Sequence, residues 1–285
     1  MRYCGRQFSQ QEIDWVNGLI QKESDISRQQ LSIRFCRQAN WRKPDGGLKD
    51  MSCRVAFLKM HKDGLVKLPA PKRVYAKPGT RKRRTEHCRP QQKIVKGAGQ
   101  LKPVLELVDK RQSAIWNEYI DRYHYLGYTA LPGAQLRYFV KSNGRVVALL
   151  GFGAAAWKTA ARDDYIGWSA QQRKKNLHLI VNNARFLILP WVHSKNLGSK
   201  ILSMAARKVA SDWQSRYNYQ PWLLETFVEK KRFCGTCYKA ANWICVGDTK
   251  GRGKLDVKNE YKLPVKSVWL YPLCTNFRQK LSGAA

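Results

Sequence analysis

The hydrophobic positions of the first seventy residues repeat at helical spacing. Ile13, Val16, Leu19 and Ile20 form one stripe, and Ser9 with Glu12 ahead of it reads as a capping box. Ser27 with Gln30 reads as a second box, followed by Leu31, Phe35 and Ala39. A PDGG turn (44–47) precedes a third predicted helix, with Met51, Val55 and Leu58 on its apolar side and Lys49, Ser52, Arg54 and Lys59 on other faces. Gly64 stops that helix, and residues 65–69 read as a short strand. Three helices and a strand predict a winged helix-turn-helix-like DNA-binding module over residues 1–71. A helical bundle with a solvated basic surface is the alternative.

From residue 101 the pattern alternates between helix and strand. Ile115, Trp116, Tyr119 and Ile120 mark a helix. Residues 135–140 and 146–152 predict a hairpin closed at Ser142-Asn143-Gly144. Residues 185–192 read as a strand, and residues 196–199 open a long helix carrying Ile201, Leu202, Ala205, Val209 and Trp213. Residues 221–228 form the next strand, residues 236–242 a short helix, and residues 243–247 begin another strand. The predicted class is α+β, a winged-helix-like module followed by a mixed α/β domain over residues 101–285.

Between the two lies a stretch dominated by base. Residues 72–96 hold Lys72, Arg73, Lys77, Arg81, Lys82, Arg83, Arg84, Arg89, Lys93 and Lys96 against the single acid Glu86, with Pro71, Pro78, Gly79 and Pro90 opposing regular structure. Residues 72–100 therefore read as a flexible basic linker suited to a phosphate backbone. Composition extends this picture. The 285 residues carry 53 Lys and Arg against 20 Asp and Glu, a formal charge of +33. Such self-repulsion fits a polyanionic partner, nucleic acid, and no long basic amphipathic helix argues for a membrane surface. Eight scattered cysteines and the lack of an apolar leader or membrane-length run lead to an expectation of the reducing cytoplasm.

Candidate chemistry collects near the C-terminus. Glu225 ends an apolar strand, where burial would raise its pKa and suit a general base, a metal ligand, or an ion pair with Arg185 or Arg137. Tyr238 follows on the next element, close enough in sequence to converge with it as nucleophile or general acid, or to serve as an aromatic core residue. Asp163 and Asp164 read as a pair on a strand, so that one of them, Asp164, could join Glu225 around Mg²⁺; a helix cap is the alternative. The candidate catalytic set is Glu225, Tyr238 and Asp164. Cys234 and Cys237 form a lone CxxC, and a zinc site would need Cys245 and Cys274 as well. Arg54, Lys59, Arg81, Lys82, Arg83, Arg84, Arg185, Lys250, Arg252 and Lys254 are the candidate nucleic-acid contacts. The glycine-spaced bases after residue 247 suit close approach to phosphate.

The order of hairpin, strand, glycine loop, helix, strand and short Tyr-bearing helix resembles the GNAT acyltransferase fold. That resemblance implies a loop before the long helix that holds coenzyme A pyrophosphate on backbone N–H groups. Here Gly198 stands at its first glycine position, Lys195 replaces Arg or Gln, and Lys200 fills the second small position, so the cradle is imperfect; Tyr238 falls at the general-acid position. Longer motifs are similar to the DruA family (DUF4338): YHYLGY (123–128), QLRYFV (135–140), LLGFGAAAWK (149–158), RDDYIGW (162–168), NNARFLILPWV (182–192), LLETFV (223–228), GTCYKAANW (235–243) and GDTKGRGK (247–254). Residues 27–71 also look like the N-terminal region of DruA-type transposase-like proteins. The resemblance implies action on DNA in anti-phage defence or in mobile elements. Three readings follow: a transposase-like enzyme that cleaves and joins DNA, a GNAT-type acyltransferase acting on a nucleobase or protein, or a non-catalytic DNA-recognition subunit. A homodimer and protein partners in defence or transposition are compatible with each.

Overall fold

The computed structural model describes residues 1–71, 84–252 and 263–283, with the side chains of residues 98 and 99 excepted. The chain divides into two compact units, Met1–Arg81 and Lys82–Ala285. The linker reading of residues 72–100 meets described structure only over residues 84–100. There the chain is fastened to the second unit.

In the first unit a small hairpin, β1 (Arg2–Tyr3) and β2 (Arg6–Gln7), precedes α1 (Gln10–Lys22), α2 (Arg28–Gln38) and α3 (Asp50–Lys62). Both expected capping boxes form, Ser9 with Glu12 and Ser27 with Gln30. Phe8, Ile13, Leu31, Phe35, Phe57 and Met60 make the core, and the Arg6 guanidinium lies over the rings of Phe8 and Phe35. Two expectations change. The inward face of α3 is Cys53, Ala56, Phe57 and Met60, an i, i+3, i+4, i+7 set. Met51, Val55 and Leu58 are exposed. Both stripes have helical spacing, so periodicity alone could not rank them. Residues 65–69 form no strand. They are pinned by side chains instead: Asn17 Nδ2 donates to the Leu65 carbonyl at 3.0 Å, and Arg28 Nε donates to the Pro69 carbonyl at 2.7 Å.

The second unit opens with β3 (Ile94–Val95), α4 (Ala98–Leu101), β4 (Val104–Leu107) and α5 (Ser113–Tyr123). The hairpin β5 (Gln135–Ser142) and β6 (Arg145–Ala154) turns through Asn143 and Gly144, both at positive φ. Then come α6 (Ala160–Ile166), α7 (Ala170–Asn176), β7 (Ile180–Ile188), β8 (Val192–His193), α8 (Leu197–Tyr217), β9 (Leu223–Glu229), α9 (Thr236–Lys239), β10 (Ile244–Asp248), β11 (Lys266–Pro272) and α10 (Phe277–Ser282). The RDDYIGW stretch is therefore the helix α6, not a strand. Seven strands form one mixed sheet in the order β10-β11-β9-β7-β6-β5-β4, antiparallel except for β7 against β9. Ile201, Leu202, Val209 and Trp213 of α8 bury one face of the sheet, and α5 and α6 cover the other.

The end of the basic segment is clamped onto α5. Thr85 donates its N–H and hydroxyl to Glu118, at 2.6 and 2.9 Å. Tyr119 and Tyr123 donate to the carbonyls of His87 and Cys88, both at 2.6 Å.

Candidate functional site

The parallel pair at the centre of the sheet opens into a fork. β7 and β9 pair only from Ile180 with Leu223 to Asn182 with Glu225. At the same place β7 gains a residue against β6: Gly151 pairs Arg185 and Phe152 pairs Asn183, leaving Ala184 as a bulge. A bulge re-aims the side chains beyond it. Without it Arg185 would share a face with Asn183; with it Arg185 turns to the α5 side.

On the α8 side, three polar groups fill the fork. Tyr238 donates its hydroxyl to Asn183 Oδ1 at 2.8 Å, and Thr226 donates to the Asn183 carbonyl at 3.0 Å. Tyr238 is buried against Phe186, Trp243 and Trp269, and this burial raises its phenol pKa well above the ordinary value. Its helix is seated by Gly235, at φ +73°, where a Cβ would stand 2.6 Å from the Trp269 ring. Only glycine fits both conditions.

Glu225 lies on the other face, because successive strand residues alternate sides. It and Tyr238 do not converge. Its carboxylate is fully buried, accepting from the Ala156 N–H at 2.7 Å and from Arg162 at 2.8 Å. Arg162, equally buried, also binds Asp163 at 2.8 Å, and Asp163 receives Trp168 and Arg173. Burial pushes Glu225 above the usual carboxylate range while Arg162 and the Ala156 N–H pull against it. This network ties α6 to β9. Asp164 is exposed on α6 and takes no part in it. The structure thus separates Glu225, Tyr238 and Asp164. Among the described residues no three His, Cys, Asp or Glu side chains gather as a metal site, the CxxC included, and all eight cysteines are free.

The candidate nucleic-acid contacts are scattered. Arg54 is half-buried, pairs with Asp50 at 3.2 Å and touches the sulfur of Met51; Lys59 is exposed on α3. Arg84 pairs with Asp121 at 3.0 Å. Lys250 and Arg252 are exposed beyond β10. Arg81, Lys82, Arg83 and Lys254 lie outside the described residues.

Arg185 stands in a setting the sequence did not reveal. Arg137, Gly151 and Arg185 are direct partners across β5, β6 and β7, so they share one face. A Cβ at Gly151 would come within 3.1 Å of the Trp116 ring and 3.2 Å of Arg185 Cβ. Trp116 therefore lies over the glycine, and the Arg137 guanidinium sits 5.4 Å from its ring. Neither arginine forms an ion pair with a described carboxylate. Arg137 donates to Asn117 Oδ1 at 2.9 Å and Arg185 to the Ala184 carbonyl at 2.7 Å; Arg185 Nε is buried without a partner among the described residues. Burial lowers the pKa of both.

Next to this row, at the end of α5, His124 stacks on Tyr125 with centroids 4.8 Å apart, and Tyr125 meets Phe233 edge-on at 5.4 Å. Arg232 lies 5.1 Å over Tyr125. Burial and the Arg185 charge push His124 down to about 4. Its Nδ1 accepts the Leu126 N–H at 3.2 Å, which leaves the proton on Nε2 as a donor. The signal for this cluster was the YHYLGY motif itself. Its convergence with Arg185 depends on the bulge, and alternation of polar and apolar residues does not disclose a bulge.

A family model described as Druantia protein DruA matches residues 59–262. No curated protein matches the chain. Among solved structures it is similar to a polyamine N-acetyltransferase from Drosophila melanogaster, at 11% identity and TM-score 0.39, over 60% of this chain and 100% of that one. It is similar to the ribosomal-protein-S18-alanine N-acetyltransferase from Escherichia coli at 7% identity and TM-score 0.38, over 61% and 95%. An aminoglycoside acetyltransferase solved with coenzyme A matches at 12% and 0.39, over 64% and 100%. The mixed α+β architecture rests on the strand pairings above, not on these likenesses.

Proposed function

The chain belongs to the DruA family, its model matching more than half of the length, and from that premise we propose that this is a DNA-binding protein of the cytoplasm. The observation that carries the reading is the charge: 53 basic against 20 acidic residues, with Arg137 and Arg185 held half-buried and paired with no described carboxylate. Cations kept without acids are suited to phosphate. Of the two things such a protein could do with DNA, the geometry favours recognition on behalf of a partner enzyme. Glu225 is committed to Arg162, and Tyr238 is buried and hydrogen-bonded. Cleavage and joining for a mobile element would have to rest on groups other than these two.

Acyl transfer, the third reading, finds less support. The residues present do not fit coenzyme A. The loop before α8 has one glycine, and Gly198 is packed so that a Cβ on it would meet Cys237 Cβ at 3.1 Å, closing the helix start against α9. The fork beside it is filled by Asn183, Thr226 and Tyr238.

The test is incubation of the protein with end-labelled single- and double-stranded DNA, with Mg²⁺ and with chelator, read on native and denaturing gels. The expected result is a shifted complex without cut product. Cut DNA that disappears with Tyr238→Phe would overturn the recognition reading in favour of strand transfer.

A further inference from the structure

We propose that the α5 face of the sheet holds an unpaired nucleotide, its phosphate at the Arg185 guanidinium and its base on the shelf formed by Tyr125 and Phe233. The inference rests on the DNA-binding reading and deepens it by naming the form of DNA.

Four observations converge on this face. Arg137 and Arg185 flank Gly151 in cross-strand register, with the Trp116 ring over the glycine between them, so that Arg185 stands on the Tyr125 side. Their desolvation is not offset by any described carboxylate, and the buried Arg185 Nε has no acceptor among the described residues. Burying a cation is costly when nothing neutralises it, so an anionic ligand would recover that cost on binding. The fit suits a phosphodiester: the Arg185 guanidinium offers a planar fork of donors, and His124 Nε2–H adds a neutral one.

The aromatic groups argue for an unpaired base. Tyr125 is 39% and Phe233 49% exposed, both large for aromatic rings, and they meet edge-on rather than covering each other. His124 and Arg232 already stack on Tyr125 and fix its ring, so the open ring of the shelf is Phe233; Arg232 is itself anchored to Glu229 at 3.1 Å. A base in a duplex has both faces covered by its neighbours and cannot lie on such a shelf. A base in single-stranded DNA, or one flipped from a duplex, can. The Arg185 charge is felt at both His124 and Tyr125, so the phosphate and base subsites adjoin.

The experiment is direct binding of the full chain to a short single-stranded oligonucleotide carrying one 2-aminopurine, against a hairpin of the same composition. Stacking quenches the 2-aminopurine. The wild type should prefer the single strand and quench its fluorescence. Arg185→Ala should weaken binding by on the order of tenfold, and Tyr125→Ala should weaken it similarly and restore fluorescence. Tyr125→Phe should keep the quench, because it keeps the ring. Phe233→Ala, at an exposed site that tolerates truncation, is the second variant should Arg185→Ala melt early, and it too should restore fluorescence. If the wild type binds DNA but prefers the hairpin, or if Tyr125→Ala and Phe233→Ala leave both affinity and quench unchanged, the inference fails and the DNA-binding reading stands. If the wild type binds neither oligonucleotide, both fail.

Discussion

Glu225 shows how far a single residue can be read from sequence. Its place in an apolar strand announced burial, and burial is what the structure gives. The strand did not announce Arg162, sixty-three residues earlier, which turns the acid from a reactive group into half of a network. Removing one partner of a buried pair costs about 3–5 kcal/mol, since the other charge remains. Glu225→Gln should therefore lower the melting temperature by roughly 10 °C, measured by circular dichroism. An unchanged melt would mean that the Glu225–Arg162 pair contributes little. Glu118 behaves differently. Burial alone would raise its pKa, but the Thr85 N–H and hydroxyl together with Arg122 outweigh it and hold the carboxyl below its ordinary value. A depressed carboxyl contributes stability above its ordinary pKa and loses it as pH falls through the lowered value. Glu118→Gln should thus be less stable than wild type by about 1–3 kcal/mol at pH 7, with the gap shrinking towards pH 3. Urea unfolding at both pH values reads this, and a gap that widens on acidification would contradict it.

Elements were legible where a local signal was enough. The capping boxes at Ser9 and Ser27, the Asn143-Gly144 turn and the stripe of α8 are each encoded within a few residues, and each forms. The misreadings needed information from afar. α3 has two stripes of helical spacing, and only the neighbours α1 and α2 decide which is buried. Residues 65–69 have strand-like alternation but find side chains of α1 and α2 instead of a partner strand. α6 hides behind two adjacent acids, one buried and one exposed. The basic segment reads as linker by composition, yet its end is clamped to α5 by Glu118, Tyr119 and Tyr123. The seat of α9 is stringent in the same way. At Gly235 positive φ and the Trp269 ring both exclude a side chain, so Gly235→Ala should destabilise the second unit by about 2 kcal/mol and disturb the Tyr238–Asn183 hydrogen bond. Chemical unfolding followed by tryptophan fluorescence would register it; a neutral substitution would mean that α9 can shift without cost.

At the scale of the molecule, the charge balance and the family agree with each other, and the geometry narrows what they imply. The sequence pointed to a C-terminal site of Glu225, Tyr238 and Asp164. The structure distributes these over two faces and the surface, and gathers instead Arg185, His124 and Tyr125, which come from β7 and the C-terminal end of α5. That gathering depends on a one-residue bulge at Ala184, and period-two alternation carries no record of it. The account as a whole stands on phosphate recognition. The measurement that tests it most directly is the affinity of the full chain for labelled DNA across a salt series, by fluorescence anisotropy. Each neutralised phosphate contributes nearly one unit to the slope of log affinity against log salt, so a chain of this charge that engages about six phosphates should lose on the order of a thousandfold between 50 and 200 mM. A slope near zero, or no binding at the lowest salt, would contradict the account.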